Sequence, residues 1–283
     1  MEIKSTAEQL YFTTVRIDTS DQDGNLGSGT GFLFQHTYKE KNYPFIVTNK
    51  HVVKNVKKGG FTFIVKDGEE PKLGDSFRLE IDDFDNLWFN HQNDKIDIAV
   101  TPLVSIEKYI KESGVDIFYR TIPFKLIPTE EALQGIDALE DIVFIGYPNG
   151  IWDSKNCTPI MRKGTTATPI SIDFEGEKKF LIDASVFGGS SGSPVFIYNS
   201  GSYVTKGGRL KAGTRIHFVG VVASVYYRNE LNEIITIPIP TENKPVVIGK
   251  EMIDLGIVFK ANTVLEAIEQ FVDLNTETEQ IST

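Results

Sequence analysis

Nearly every apolar run in this 283-residue chain is short and is closed off by Gly, Pro, Asn or Asp. Examples are Thr30–Gln35, Phe45–Val47, Phe61–Val65, Phe77–Ile81, Ile96–Val100, Ile142–Gly146, Gly164–Ile170, Lys179–Ile182, Pro194–Tyr198, Ile216–Val225 and Gly256–Lys260. Short runs rich in β-branched and aromatic side chains read as strands, because such side chains pack on a pleated surface. Their even distribution predicts an all-β architecture of the barrel or sandwich kind. Helical spacing is scarce. A single turn is expected at His51–Val56 and a short helix at Ile106–Lys111. The strongest helical segment is Thr263–Val272, where Thr263 caps and Leu265, Ile268 and Phe271 share a face. The polar stretch Asn275–Thr283 is expected to fray, and Asn199–Gly213 reads as a long hairpin or surface loop.

The mixed segment around Ser105–Gly135, with Pro123 and Pro128, separates two β-rich halves. The expected organisation is an N-terminal barrel over residues 1–110 and a linker over 111–135. A C-terminal barrel over 136–261 and a helix with its tail over 262–283 follow. The net charge is −10 and no dense Lys/Arg run occurs, which excludes the basic face of a nucleic-acid binder. No apolar run approaches the roughly 18 residues of a membrane span. The start, MEIKSTAEQLYF, lacks an apolar secretory core. With one cysteine, Cys157, no intramolecular disulfide can form. That fits a reducing compartment, and a cytoplasmic protein is the expectation.

Three strings carry chemistry. Gly189-Ser190-Ser191-Gly192-Ser193-Pro194 places a serine in a glycine turn just before a strand. A serine hydroxyl needs a base within hydrogen-bond reach and donors for the charge that develops on its substrate. Glycine beside it lets backbone N–H groups face a cleft. Val47-Thr48-Asn49-Lys50-His51-Val52-Val53 sets a histidine where a strand ends. The other histidines, His36, His91 and His217, have no comparable flank. Lys95-Ile96-Asp97-Ile98-Ala99-Val100 sets an aspartate in an apolar run, where a buried carboxylate needs partners. An imidazole N–H would supply one; backbone amides would be another solution. Other readings fail: Cys157 has no supporting histidine, no Cys/His group has zinc spacing, and the acidic stretch 80–85 lacks the EF-hand pattern. Gly27-Ser28-Gly29-Thr30-Gly31 is not followed by the Gly-Lys-Ser/Thr of a phosphate loop. No metal or other cofactor is called for.

Taken together, the order and context of these strings resemble the chymotrypsin-like (trypsin-like) serine peptidases. The resemblance is nearest to bacterial members such as HtrA proteins and glutamyl endopeptidases. Gly27–Phe32, Gly146-Tyr147-Pro148, Phe218–Val222 and the closing helix also match, so that the likeness spans about residues 10–273. It implies two packed six-stranded antiparallel barrels with the site between them. In that scheme His51 is the general base, Asp97 orients it, and Ser191 is the nucleophile, with the N–H groups of Gly189 and Ser191 as the oxyanion hole. Ser185 would lie at the base of the specificity pocket. Val222, Ala223 and Ser224 would offer an edge to an extended polypeptide substrate.

This chain departs from the family at several points. Ser190 stands where digestive members carry an aspartate, and no acid stands at Ser185 to favour Lys or Arg at the cleavage position. A small or uncharged residue is the expectation there. The expected activity is endopeptidase cleavage through an acyl-enzyme on Ser191. A latent or inactive peptide-binding module on the same scaffold, and an esterase using the same three residues, are the alternatives. An unregulated protease endangers its host, which leaves a place for an activating or inhibiting protein partner.

Overall fold

The computed structural model describes residues 2–230 and 249–281. Nine strands form the N-terminal half: β1 (Thr14–Asp21), β2 (Leu26–Tyr38), β3 (Lys41–Thr48), β4 (Val56–Asp67), β5 (Glu70–Asp82), β6 (Phe89–Asn90), β7 (Ala99–Pro102), β8 (Ile117–Phe118) and β9 (Ile122–Pro123). Eight follow: β10 (Asp141–Gly146), β11 (Ile160–Thr166), β12 (Lys179–Asp183), β13 (Pro194–Asn199), β14 (Ser202–Val204), β15 (Leu210–Ala212), β16 (Arg215–Glu230) and β17 (Gly249–Lys260). The helices are α1 (Thr6–Tyr11), α2 (Lys50–Val53), α3 (Leu103–Glu112), α4 (Glu130–Gly135) and α5 (Asn262–Ile281).

In the C-terminal half, β10, β11, β12, β17, β16 and β13 close into a six-stranded antiparallel barrel. Its interior is filled by Ile142, Phe144, Phe180, Ile182, Val195, Ile197, Val219 and Val258. The N-terminal half differs from the expected second closed barrel. Its strands run in the order β5-β4-β1-β2-β3-β7-β6, with β8 on β4 and β9 on β2, and the two ends of this path do not pair. The physical reason lies at those ends. β5 is 13 residues long, whereas β6 is only two, too short to supply a ladder. In the segment that joins β5 to β6, Phe84 and Trp88 pack on Phe61 of β4 with ring centroids 5.3 and 5.9 Å away. A Cβ on Gly59 would come within 2.3 Å of the Phe84 ring, so the glycine makes room for it.

Residues 111–135, expected as a linker, are stitched into the N-terminal sheet through β8 and β9. Two short helices escaped periodicity because each is six residues long. α1 is defined by a capping box, in which Ser5 Oγ accepts from Glu8 N–H and the Glu8 carboxylate accepts from Ser5 N–H. α4 starts at Thr129, whose hydroxyl accepts from Ala132 N–H. The hairpin expected within Asn199–Gly213 is β14 and β15. α5 continues to Ile281 instead of fraying after Asn275. No Gly or Pro interrupts it, and Asn275 Nδ2 donates back to Phe271 O at 2.7 Å. Residues 282 and 283 lie outside the described residues.

One apolar cluster belongs to both halves. Phe32, Phe34, Phe45, Ile98 and Val100 from the first meet Ile145, Phe196, Phe218, Val221 and Phe259 from the second, with Val264, Ala267 and Ile268 of α5 beneath. Phe218 is at its centre, its ring 5.4 Å from Phe32, 5.9 Å from Phe34 and 5.7 Å from Phe196. Burying an aromatic ring here stabilises the junction by about 1.5–3 kcal/mol, and deletion adds the cost of a cavity. We therefore expect Phe218→Ala to lower unfolding stability by about 3–5 kcal/mol in urea denaturation. A loss under about 1 kcal/mol would show that the ring does not join the halves.

Candidate active site

His51 lies in α2, the single turn that follows β3. Its Nδ1 is 2.6 Å from Asp97 Oδ2, and its own backbone N–H donates to Asp97 Oδ1 at 3.1 Å. One carboxylate therefore fixes both the ring and the backbone of the same residue. Asp97 sits two residues before β7 and not inside a strand as expected, between the buried Ile96 and Ile98. Its carbonyl accepts from Asn49 Nδ2 at 2.7 Å, and Asn49 is fully buried at the start of α2. The close seat of α2 on β2 depends on Gly29: a Cβ there would lie 2.4 Å from Val52 Cγ1.

The loop that carries Asp97 is held from the far end of the chain. His91 N–H donates to Ile98 O at 3.0 Å, and His91 Nδ1 accepts from Asn93 N–H at 3.0 Å. That leaves Nε2 as the protonated nitrogen, facing Glu266 Oε2 of α5 at 3.4 Å. Gln270 of α5 accepts from Gln92 N–H at 3.0 Å.

Ser191 stands between β12 and β13, on the other half. The loop around it is fixed peptide by peptide. In a trans peptide the C=O and N–H point in opposite directions, so holding one orients the other. The Gly188 carbonyl accepts from Asn149 N–H, and the Gly189 carbonyl from Thr30 Oγ1 at 3.0 Å. The Ser190 carbonyl accepts from Ser193 N–H at 3.0 Å, and the Ser191 carbonyl from Thr30 N–H at 3.0 Å. Among the described residues, neither Gly189 N–H nor Ser191 N–H donates to a protein acceptor. Both are thus oriented and left open. Gly189 (φ 78°) and Gly192 (φ 88°) adopt left-handed backbone that other residues resist. A Cβ on Gly192 would also lie 1.8 Å from the Thr30 carbonyl oxygen.

The Ser191 hydroxyl donates to the Ala223 carbonyl at 3.0 Å, so it is directed at β16 and not at the His51 ring. The three strand residues expected to meet substrate separate here. Val222 is fully buried, and both its backbone groups serve the nucleophile loop: its N–H goes to Ser193 O and its carbonyl to Gly192 N–H. Ala223 is a bulge between Val222 and Ser224, and Ser224 is exposed. β13 pairs with β16 only as far as Val221, which leaves the edge at Ala223 and Ser224 beyond that ladder. Ser185 is exposed and its carbonyl accepts from the Arg162 guanidinium, which stacks over Phe144 and Phe187. Cys157 is buried. Among the described residues no group of three His, Cys, Asp or Glu could hold a metal ion, and no helix is long and apolar enough to cross a membrane.

The two halves thus carry an exposed histidine held by a carboxylate and, on a barrel loop, a serine beside two N–H groups without a protein acceptor among the described residues. The chain belongs to the trypsin-like peptidase domain family, whose profile matches residues 29–204. Among solved structures it is similar to the HtrA-type protease AlgW with tripeptide, with a TM-score of 0.50 and 11% identity over 95% of this chain and 63% of that one. The serine endoprotease from Yersinia pestis aligns with a TM-score of 0.46 and 15% identity over 96% of this chain and 68% of that one. A protease from M. tuberculosis in its active form aligns at 0.44 and 14%, covering 93% and 82%. This chain thus spans under two thirds of the AlgW chain. No curated protein sequence matches it.

Sequence reasoning missed Asn49, Thr30 and Asn149, which hold the site without reacting. It also missed the contribution of His91. Burial lowers the pKa of His91, against an opposing pull from Glu266, and burial likewise lowers those of His36 and His217. Their folded values lie below the unfolded one, near 6.5. As pH falls through about 6.5, the unfolded chain takes up protons that the folded protein refuses, so stability present above that pH is lost below it. The urea midpoint should therefore be lower at about pH 5.5 than at pH 7.5, and His91→Phe should narrow the gap. Equal midpoints in the wild type would contradict this.

Proposed function

We propose that this protein is a serine endopeptidase that cleaves polypeptides by forming an acyl-enzyme on Ser191. The observation that carries the reading is the His51–Asp97 pair, 2.6 Å between Nδ1 and Oδ2, placed on one half while the nucleophile loop is held on the other. In this scheme His51 Nε2 takes the Ser191 proton as Oγ attacks the scissile carbonyl carbon. Asp97 holds the tautomer and stabilises the imidazolium. The N–H groups of Gly189 and Ser191 receive the charge on the carbonyl oxygen. Collapse breaks the C–N bond, with the proton passing from His51 to the leaving amine. Water then repeats the sequence to release the acid. The N-terminal sheet is the counterpart of the family's first barrel in this reading, with Ala223 and Ser224 as the edge that meets an extended substrate.

The Ser191 hydroxyl must leave the Ala223 carbonyl to meet His51, which costs about 0.5–1.5 kcal/mol, the worth of one hydrogen bond. That same contact supports the second reading, a latent or binding-only form that needs a partner or substrate to turn the serine. An active-site fluorophosphonate separates the two. We expect it to label the wild type and not Ser191→Ala. Absence of labelling in both would refute a competent resting site. Asp97→Asn should slow turnover by up to about 10⁴-fold through loss of the correct tautomer. A peptide library should show no preference for Lys or Arg at the cleavage position, because residue 185 is a serine and not an acid, and the Arg162 guanidinium places positive charge on that segment. Strong cleavage after Lys or Arg would overturn that pocket assignment.

A further inference from the structure

Thr30 is fully buried in β2, and its hydroxyl and N–H are both spent on the other half. Its hydroxyl donates to the Gly189 carbonyl at 3.0 Å and accepts from Tyr147 N–H at 3.1 Å and from Ser193 Oγ at 3.4 Å. One donor and two acceptor positions are all that a hydroxyl offers, so it is saturated. The Thr30 N–H donates to the Ser191 carbonyl at 3.0 Å. The Thr30 carbonyl accepts from Thr48 Oγ1 at 2.8 Å, and Thr48 is the buried last residue of β3, directly before the Asn49–His51 turn. Two glycines are fitted to this side chain and its backbone. A Cβ on Gly146 would lie 2.5 Å from Thr30 Oγ1, and one on Gly192 would lie 1.8 Å from the Thr30 carbonyl.

We propose that Thr30 is a positioning residue for the nucleophile loop, its hydroxyl fixing the peptide after Gly189 and thereby the direction of the open N–H groups on either side. The inference rests on the reading of Ser191 as nucleophile. The geometry also explains why the side chain must be threonine-like. A valine of the same shape would fill the space, but it would leave the Gly189 carbonyl and the Tyr147 N–H without a partner in a buried place. With that carbonyl released, the peptide is held only through Ser190 N–H, which donates to Phe187 O at 3.0 Å, and the open N–H groups on either side lose one of the two bonds that set their direction.

The test compares Thr30→Val, which removes only the hydroxyl, with Thr30→Ser, which keeps it and removes the methyl. Two readouts are needed. The first is fluorophosphonate labelling over a concentration series, which separates the maximal labelling rate from the half-saturating concentration. Removing an oxyanion donor outright costs about 10²–10³-fold, so loss of its support should lower the maximal rate by about 10-fold or more in Thr30→Val. The half-saturating concentration should stay close to wild type, and Thr30→Ser should recover most of the rate. The second readout is amide hydrogen exchange over residues 187–193, which should quicken in Thr30→Val and not in Thr30→Ser. Wild-type rates and exchange in Thr30→Val would overturn the inference. Equal loss in both variants would do so too, because it would assign the effect to the methyl group. Should the wild type resist labelling altogether, the peptidase reading fails, and the exchange comparison still decides whether Thr30 holds the loop.

Discussion

The contact of Phe218 with Phe32, Phe34 and Phe196 is the constraint on which the site depends. His51 and Asp97 belong to an open sheet and Ser191 to a closed barrel, and neither half contains all three. With a single cysteine, no intramolecular covalent bridge fixes one half on the other. Non-directional burial brings the halves together, and the directional hydrogen bonds then set their relative position. A few tenths of an ångström matter for the second task and not for the first, which is why the aromatic junction is surrounded by polar contacts such as Thr30 to Gly189.

The polar contacts divide the labour. Asp97 fixes His51 through two separate oxygens, Oδ2 on the ring and Oδ1 on the backbone N–H, so one carboxylate holds both the imidazole and the turn that carries it. Asn49 and His91 hold the segment on which Asp97 rides. On the other half, the nucleophile loop is held at the Gly188 carbonyl by Asn149, at the Ser190 carbonyl by Ser193, and at the Gly189 and Ser191 carbonyls by Thr30 reaching across from β2. The residue expected to act as nucleophile is held more firmly in its backbone than in its side chain. Ser191 shows this: its carbonyl is fixed by Thr30, while its hydroxyl rests on Ala223 and has a second place to go.

Much of this was legible in the chain, because the signals were local. Short β-branched runs ended by turn residues marked the strands, the glycines around Ser191 marked a turn with exposed N–H groups, and Asp97 between Ile96 and Ile98 marked a carboxylate in need of a partner. What was not legible depends on distance. Nothing in Gly29-Thr30-Gly31 says that the threonine meets Gly189. The open N-terminal sheet depends on how few residues of β6 pair, which is a matter of tertiary packing and not of local pattern. Val222 reads like its neighbours Ala223 and Ser224, yet its backbone is used internally, because the strand β13 stops pairing at Val221 and the loop takes over.

The bonds that complete the site join residues far apart along the chain: 159 positions separate Thr30 from Gly189, and 175 separate His91 from Glu266. Each such closure must meet a loop entropy that grows with the logarithm of the intervening length. A topology built on contacts of this span belongs among the slow folders, in the millisecond-to-second range or beyond, roughly as all-β domains do. The same arrangement that sets these partners far apart in sequence therefore delays the closing of their bonds in time.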